Sequence, residues 1–360
     1  MAMDGNHLGF VVRDLFRMEK FYRTVFGLRL LYRYESVHTP GLRTVFLVGR
    51  GLVLELLHYA DRPAPETPAD HLSFAVPNIK AEHERLAALG VDGLTEPRLT
   101  GDGYWEVALR DPEGRRIEIA ERVRPYAYPP IRAIVFDLDG TLIDSEPNYY
   151  EADRRLLAEY GIELTPAMKR RYIGTSNVFM MTDVKERFGL QAELPELLEK
   201  KDRYYLELAL AETRPFPEMA RLVTQLRDRG YPLAVASGSS LHVIQTLLKQ
   251  VGLQNAFRVV VSAEEVPRGK PSPDVFLEAA RRLGAEPMQT IVVEDSAFGV
   301  EAAAAGFMRV VAVPSVPEPP LEPSFQLADL LFAGGISDFT TKKFLDWLGS
   351  GAMPRLQPDL

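Results

Sequence analysis

Two sets of side chains in this sequence are spaced for chemistry. HLGFVV at 7–12 is written again 64 residues later as HLSFAV at 71–76. Each run opens on a histidine, His7 or His71, and continues as an apolar strand. Glu55 in LVLELL (52–57) and Glu118 in RRIEIA (115–120) repeat at nearly the same separation. If the two halves pack about a pseudo-twofold axis, all four side chains converge. Two imidazoles and two carboxylates suit a divalent metal such as Ni, Zn, Mn, Fe or Co. The second set begins with AIVFDLDGTLIDSEP, residues 133–147. An apolar strand delivers Asp137 and Asp139 into a turn, and residues two apart share a face, so both carboxylates address one reaction centre beyond the strand's end. Ser237 follows a strand in LAVASGSS, Lys270 lies in a turn in RGKPSPDVF, and Glu294 and Asp295 follow a strand in IVVEDSAFGVEAAAAG.

The elements that must position these groups differ between the two parts of the chain. The first part reads strand 7–12, a helix from the Asp14 cap to Phe26 with Gly27 at its end, then strands at 28–35, 42–48 and 52–58. From His71 the order begins again: strand 71–76, a helix from the Asn78 cap to Leu89, Gly90, and strands at 104–110 and 115–120, with a weaker one between. These are paired βαβββ modules. Residues 131–313 instead alternate helices with the short apolar runs AIVFD, LAVAS, VVVSA and IVVED, the pattern of a parallel sheet covered on both faces. Residues 145–215 interrupt that rhythm as a charged helical cap. The expected fold class is therefore α+β modules followed by an α/β core.

Proline clusters at 122–131 and 314–323 suit linkers and surface segments. The expected domains are 1–122, a linker 123–131, a second domain 132–320 and a C-terminal extension 321–360 with a short helix around Asp338–Leu348. Apolar residues make up 46% and charged residues 26%, as in ordinary globular proteins. A formal net charge of -8 argues against a broad grip on nucleic acid. The absence of cysteine excludes disulfides, thiolate ligands and a cysteine nucleophile. The N-terminus lacks the basic and apolar regions of a signal peptide, and no apolar run reaches the roughly 18 residues of a membrane span. A cytoplasmic location is expected.

On HLGFVVRDLFRMEKFYRTVFGLRLL, ELL at 55–57, HLSFAV and DPEGRRIEI at 111–119, residues 7–121 resemble the vicinal oxygen chelate superfamily, which includes glyoxalase I, extradiol dioxygenases and drug-resistance proteins. The resemblance implies that His7, Glu55, His71 and Glu118 are the metal positions. It also implies that the metal holds two neighbouring oxygens of a small ligand, and that Glu118 or Glu55 shuttles a proton. A set without Glu55 would be similar to the dioxygenase triad. Ligand binding without turnover is the alternative. Chelate-fold relatives often pair modules between chains, which makes a homodimer one expectation.

On the ordered stations Asp137-x-Asp139, Ser237, Lys270 and Glu294-Asp295, residues 131–313 resemble the phosphatase branch of the haloacid dehalogenase superfamily, with a Rossmann-like core and a helical cap. The resemblance implies that Asp137 attacks phosphorus and that Asp139 protonates the leaving alcohol, then deprotonates water. It implies Mg2+ held by Asp137, the Asp139 backbone carbonyl and Asp295, with Glu294 assisting through that shell. Lys270 and Ser237, with backbone amides near Gly140, Thr141 and Gly238, would hold the phosphoryl oxygens. Asp139 argues for an oxygen leaving group, because the dehalogenases lack it.

The second domain is close to the β-phosphoglucomutase-like group. DSEP at 144–147 is common among the sugar-phosphate phosphatases of that group, while the mutases carry a histidine where Tyr149 stands. Gly174, Thr175, Ser176 and Asn177, in the cap segment IGTSNVFMM (173–181), are the candidates for facing substrate. The expected function is an Mg-dependent phosphatase of a small phosphorylated metabolite, fused to a metal-binding domain with a second small-molecule ligand. The alternatives are a phosphomutase, or a phosphatase tuned by a non-catalytic ligand-binding domain. No nucleic-acid or membrane partner is expected.

Overall fold

The computed structural model describes residues 4–49, 52–60, 71–110, 116–123, 128–172 and 175–351. The chain divides into two compact units, one ending at Tyr128 and the other beginning at Pro129.

The first unit runs β1 (Asp4–Val11), α1 (Leu15–Phe26), β2 (Arg29–Glu35), β3 (Leu42–Gly49) and β4 (Leu52–Tyr59). It then repeats as β5 (His71–Ala75), α2 (Ile79–Ala88), β6 (Arg98–Leu99), β7 (Tyr104–Arg110) and β8 (Arg116–Arg122). Local signals set the helix ends. Asp14 accepts the Arg17 amide at 2.9 Å, Asn78 accepts the Ala81 amide at 3.0 Å, and Gly27 closes α1 at φ 64°. The strands form one curled mixed sheet in the order β2-β3-β4-β1-β5-β8-β7-β6. β1 runs parallel to β4 and β5 parallel to β8, while β1 and β5 pair antiparallel at the centre. The two repeats thus meet about a local pseudo-twofold. Beside the sheet, the buried Glu19 of α1 is bracketed by Arg33 at 2.8 Å and Arg23 at 2.9 Å.

The second unit has a six-stranded sheet in the order β11-β10-β9-β12-β13-β14. Its strands are β9 (Ala133–Phe136), β10 (Leu233–Ser237), β11 (Val259–Ser262), β12 (Thr290–Glu294), β13 (Arg309–Ala312) and β14 (Leu330–Leu331), every neighbouring pair parallel. Every residue of β9, β10, β12 and β13 is buried, as continuous apolar runs require. Helices α7 (Pro217–Asp228), α8 (Leu241–Gln250), α9 (Asp274–Leu283) and α10 (Ala297–Ala305) connect the strands. Between β9 and α7 the chain builds the cap from α3 (Glu146–Ala158), α4 (Pro166–Arg170), α5 (Asn177–Phe188) and α6 (Leu194–Glu212). The cap has its own core around Leu156, Leu157, Met181, Val184 and Leu197.

The sequence set 321–360 apart as an extension, and the structure corrects that boundary. β14 adds the sixth strand, and Phe332, Phe339, Phe344 and Trp347 are buried in the core of this unit. Burial of four aromatics outweighs the surface preference of the preceding prolines. The final helix, α11, spans Thr341–Gly349, starting three residues later than expected. Among the described residues no helix is long and apolar enough to cross a membrane.

Candidate active site and metal centre

In the first unit, strand register brings the repeated residues together. Across the β1–β5 pair, His7 stands opposite Ser73 and Gly9 opposite His71. Glu55 is the neighbour of Gly9 on β4, and Glu118 the neighbour of Ser73 on β8. Gly9 and Ser73 are therefore equivalent positions in the two repeats, each between a histidine and a glutamate. The His71 ring lies over Gly9, where a Cβ would overlap it. His7 Nε2 and His71 Nε2 are 2.8 Å apart. Glu55 Oε2 is 3.1 and 3.2 Å from them, and Glu118 Oε2 3.8 and 3.3 Å.

These separations test whether a metal fits. Four tetrahedral ligands with bonds of ~2.1 Å lie roughly 3.4 Å from one another, and the observed spacings bracket that value. The nitrogen and carboxylate donors suit a borderline transition metal. Neighbours orient the ligands. Phe46 packs edge-on against the His7 ring at 5.4 Å, and Arg116 binds Glu118 Oε1 at 2.7 Å, leaving Oε2 toward the histidines. Burial raises the Glu55 carboxyl, but bonds from His7 and His71 outweigh it and hold the group down at about 2. His71 moves upward: burial opposes its charge, and the Glu55 bond and the Glu118 charge overcome that.

In the second unit, the ends of β9, β10 and β12 meet beneath the cap. Lys270 Nζ reaches Asp137 Oδ1 at 2.5 Å and Glu294 Oε1 at 2.6 Å, all three buried. The other Glu294 oxygen accepts from the Ser296 amide at 2.6 Å and its hydroxyl at 2.9 Å. Both oxygens of Glu294 are thus engaged, one of them by Lys270. Burial, with Glu294 and Asp139 nearby, pushes Asp137 up to about 8 against the pull of Lys270. Burial opposes the charge on Lys270, yet Asp137 and Glu294 raise it above its ordinary value.

Asp139 is held by hydroxyls. Tyr205 donates to Oδ1 at 3.0 Å, and Ser239 and Ser237 donate to Oδ2 at 2.7 and 3.3 Å. Tyr149 stacks on Tyr205 at 3.8 Å and bonds Ser239. Asp137, Glu294 and Asp295 offer carboxylate oxygens within 4.8 Å of one another. An all-oxygen, buried, anionic set fits a hard cation such as Mg2+.

The remaining expected residues fall as follows. Gly140 has φ 80° and passes so close to Asp295 that a Cβ would strike its carboxylate. The Gly140 amide donates to the Ile143 carbonyl at 2.9 Å. Thr141 donates its hydroxyl to Asp295 Oδ1 at 3.1 Å and so positions that carboxylate. Gly238, Thr175, Ser176 and Asn177 line the cavity with Asp137, Asp139, Ser237 and Lys270. The Ser176 hydroxyl caps α5, accepting from the Phe179 amide at 3.1 Å. Asn177 Nδ2 is buried without a partner among the described residues. Gly174 lies outside the described residues.

Sequence reasoning missed Ser239, Tyr205 and a cap cluster of Asp153, Lys169 and Lys201. The signal for two of them was a four-residue row on α6, in which Lys201 shares a helical face with Leu197, Tyr205 and Ala209, all buried.

A parallel core with a helical cap, and paired aspartates at the end of the first core strand, define a capped α/β hydrolase. Residues 134–313 match the family model for haloacid dehalogenase-like hydrolases, and the chain belongs to that family. Residues 5–119 match the model of the glyoxalase/bleomycin resistance protein/dioxygenase superfamily. The hexitol phosphatase B of Escherichia coli (strain K12) is 31% identical over 219 residues, covering 60% of this chain and 97% of that one. A bifunctional riboflavin kinase/FMN phosphatase of Arabidopsis thaliana is 35% identical over 187 residues, 51% of this chain, but only 49% of that protein's length is spanned. Among solved structures, CbbY from Rhodobacter sphaeroides in complex with phosphate is similar at a TM-score of 0.51 and 25% identity, covering 57% of this chain and 95% of that one.

Proposed function

We propose that the second unit is a phosphoric monoester hydrolase acting on a small phosphorylated metabolite, a sugar phosphate or a close relative. One observation carries this reading. Asp137 is desolvated and held at an ammonium, while Asp139, two residues on, is held by hydroxyl donors, and both face one cavity beneath a cap. The hexitol and FMN phosphatases among the relatives support a phosphate ester as substrate.

Asp137 attacks phosphorus, and the bond to the ester oxygen breaks. Asp139 gives its proton to the departing alkoxide. Water then attacks the aspartyl-phosphate while Asp139 accepts its proton, which releases inorganic phosphate and restores Asp137. Lys270 and Ser237 steady the phosphoryl oxygens, and Glu294 keeps Lys270 in register. Bound Mg2+, which Asp137, Asp295 and the Asp139 backbone carbonyl would hold, supplies the positive charge that lets a carboxylate meet a phosphate dianion.

For the first unit, we read His7, Glu55, His71 and Glu118 as holding a divalent transition metal that engages two adjacent oxygens of a small ligand. The 2.8 to 3.8 Å spacing of the donor atoms supports this.

The test is a panel of phosphorylated metabolites assayed for inorganic phosphate with Mg2+, with Asp137→Asn as control. Release that Asp137→Asn abolishes is expected. Isomerised sugar phosphate with little free phosphate would replace this reading with a phosphomutase, and undiminished release by the variant would end it.

A further inference from the structure

One hydroxyl in the first unit has no structural task. Ser73 of β5 is 2% exposed, and its side-chain oxygen is sealed from solvent with no hydrogen-bond partner among the described residues. A buried hydroxyl left unbonded costs stability that a methyl group would not. Alanine would fill this place better if the position served packing alone.

Register puts that hydroxyl at the metal centre. Ser73 lies two residues from His71 on β5, so the two side chains share a face of the sheet. His7 stands beside Ser73 on β1, and Glu118 beside it on β8. The equivalent position in the other repeat is Gly9, where the His71 ring leaves no space for a side chain. The pseudo-twofold is therefore broken here, with a hydroxymethyl group in one half and hydrogen in the other. The ligand distances break with it. Glu55 Oε2 is 3.1 and 3.2 Å from the two histidine nitrogens. Glu118 Oε2 is 3.3 Å from that of His71 but 3.8 Å from that of His7. The long edge is the one that crosses Ser73. Four tetrahedral ligands stand roughly 3.4 Å apart, so shortening that edge draws the Glu118 carboxylate toward His7, across Ser73.

We propose that Ser73 is a positioning residue of the metal centre: its hydroxyl donates to the Glu118 carboxylate when that group closes on a divalent metal. The inference rests on the metal-binding reading of the first unit and adds a residue outside its ligand set. Arg116, which binds Glu118 Oε1 at 2.7 Å, and Ser73 would then hold the looser carboxylate between them. Outer donors of this kind set metal affinity by orienting the ligand they bond.

Metal affinity tests this without any substrate. The full-length chain, stripped with EDTA, desalted and held in excess Mg2+, is titrated with Co2+ and followed by visible absorption. His71→Ala serves as the blank for uptake elsewhere. Ser73→Ala should raise Kd about tenfold or more and alter the Co2+ bands. Its metal-free form should melt at the wild-type temperature or above it, because only an unbonded hydroxyl is lost. A Kd within about threefold of wild type overturns the proposal. So does a lower melting temperature of metal-free Ser73→Ala, which would show that the hydroxyl serves the fold. Uptake of Co2+ by wild type no greater than by His71→Ala would remove the metal-binding reading itself, and this inference with it, so the two failures are told apart.

Discussion

Lys270 Nζ lies 2.5 Å from Asp137 Oδ1 and carries Glu294 on its other side at 2.6 Å. The ammonium therefore bridges Asp137 and Glu294. Lys270→Met strands buried carboxylates without their cation. Phosphate release should fall by about 10^2–10^3-fold, and unfolding by urea should show a loss of about 3 kcal/mol. Wild-type turnover in the variant would remove Lys270 from the site.

Gly299 of α10 faces Glu294 so closely that a Cβ would overlap its carboxylate. Gly299→Ala should push Glu294 aside and loosen Lys270, although neither residue is changed. A drop in phosphate release of about tenfold or more is expected, together with destabilisation of about 1–3 kcal/mol by overpacking. Thermal unfolding and steady-state assays on the same preparation measure both.

The carboxylates of Asp137, Glu294 and Asp295 outnumber the single ammonium of Lys270. Without a dication the folded site takes up protons, and burial raises Asp137 to about 8 from an ordinary 3.8. For a raised group the stabilising term is complete below the unfolded value and is lost as pH rises through the folded one. Metal-free protein should therefore lose stability between about pH 4 and pH 8. Mg2+ should raise Tm more at pH 8 than at pH 5. Calorimetric scans with and without EDTA measure this; a larger shift at pH 5 would contradict it.

In the first unit, Gly9 gives up its side chain to the His71 ring. Gly9→Ala should displace that ring and reduce bound transition metal from about one per chain to a small fraction, as His71→Ala would. Elemental analysis of the purified full chain decides it. Full metal content in Gly9→Ala would mean that the ring position does not matter for loading.

Much of the fold was legible because its signals are local. Asp14, Gly27 and Asn78 end their helices where the sequence said, since caps depend on a few adjacent residues. The four core strands near the active site are continuous apolar runs, which buried parallel strands must be. The His–Glu repeat was legible because duplication copies spacing. Lys169 and Lys201 were harder to see, because a lysine on a charged helix ordinarily faces water. Only the packing of α3, α4 and α6 puts both beside Asp153. The bond from the Gly140 amide to the Ile143 carbonyl was not legible for a related reason: it comes from a tight local turn that spacing alone does not reveal.

The Thr175 carbonyl rests on Gly238, where an added Cβ would come within 2.9 Å of it, and the Asn177 backbone N–H donates to the Gly238 carbonyl at 3.4 Å. The cap side of the cavity is thus seated directly on the turn after β10, along a seam with no room for a side chain. On the phosphatase reading, parting that seam would widen the way in for ester and the way out for alcohol and phosphate. Opening it, rather than bond cleavage, is then a natural candidate for the slow event of each cycle.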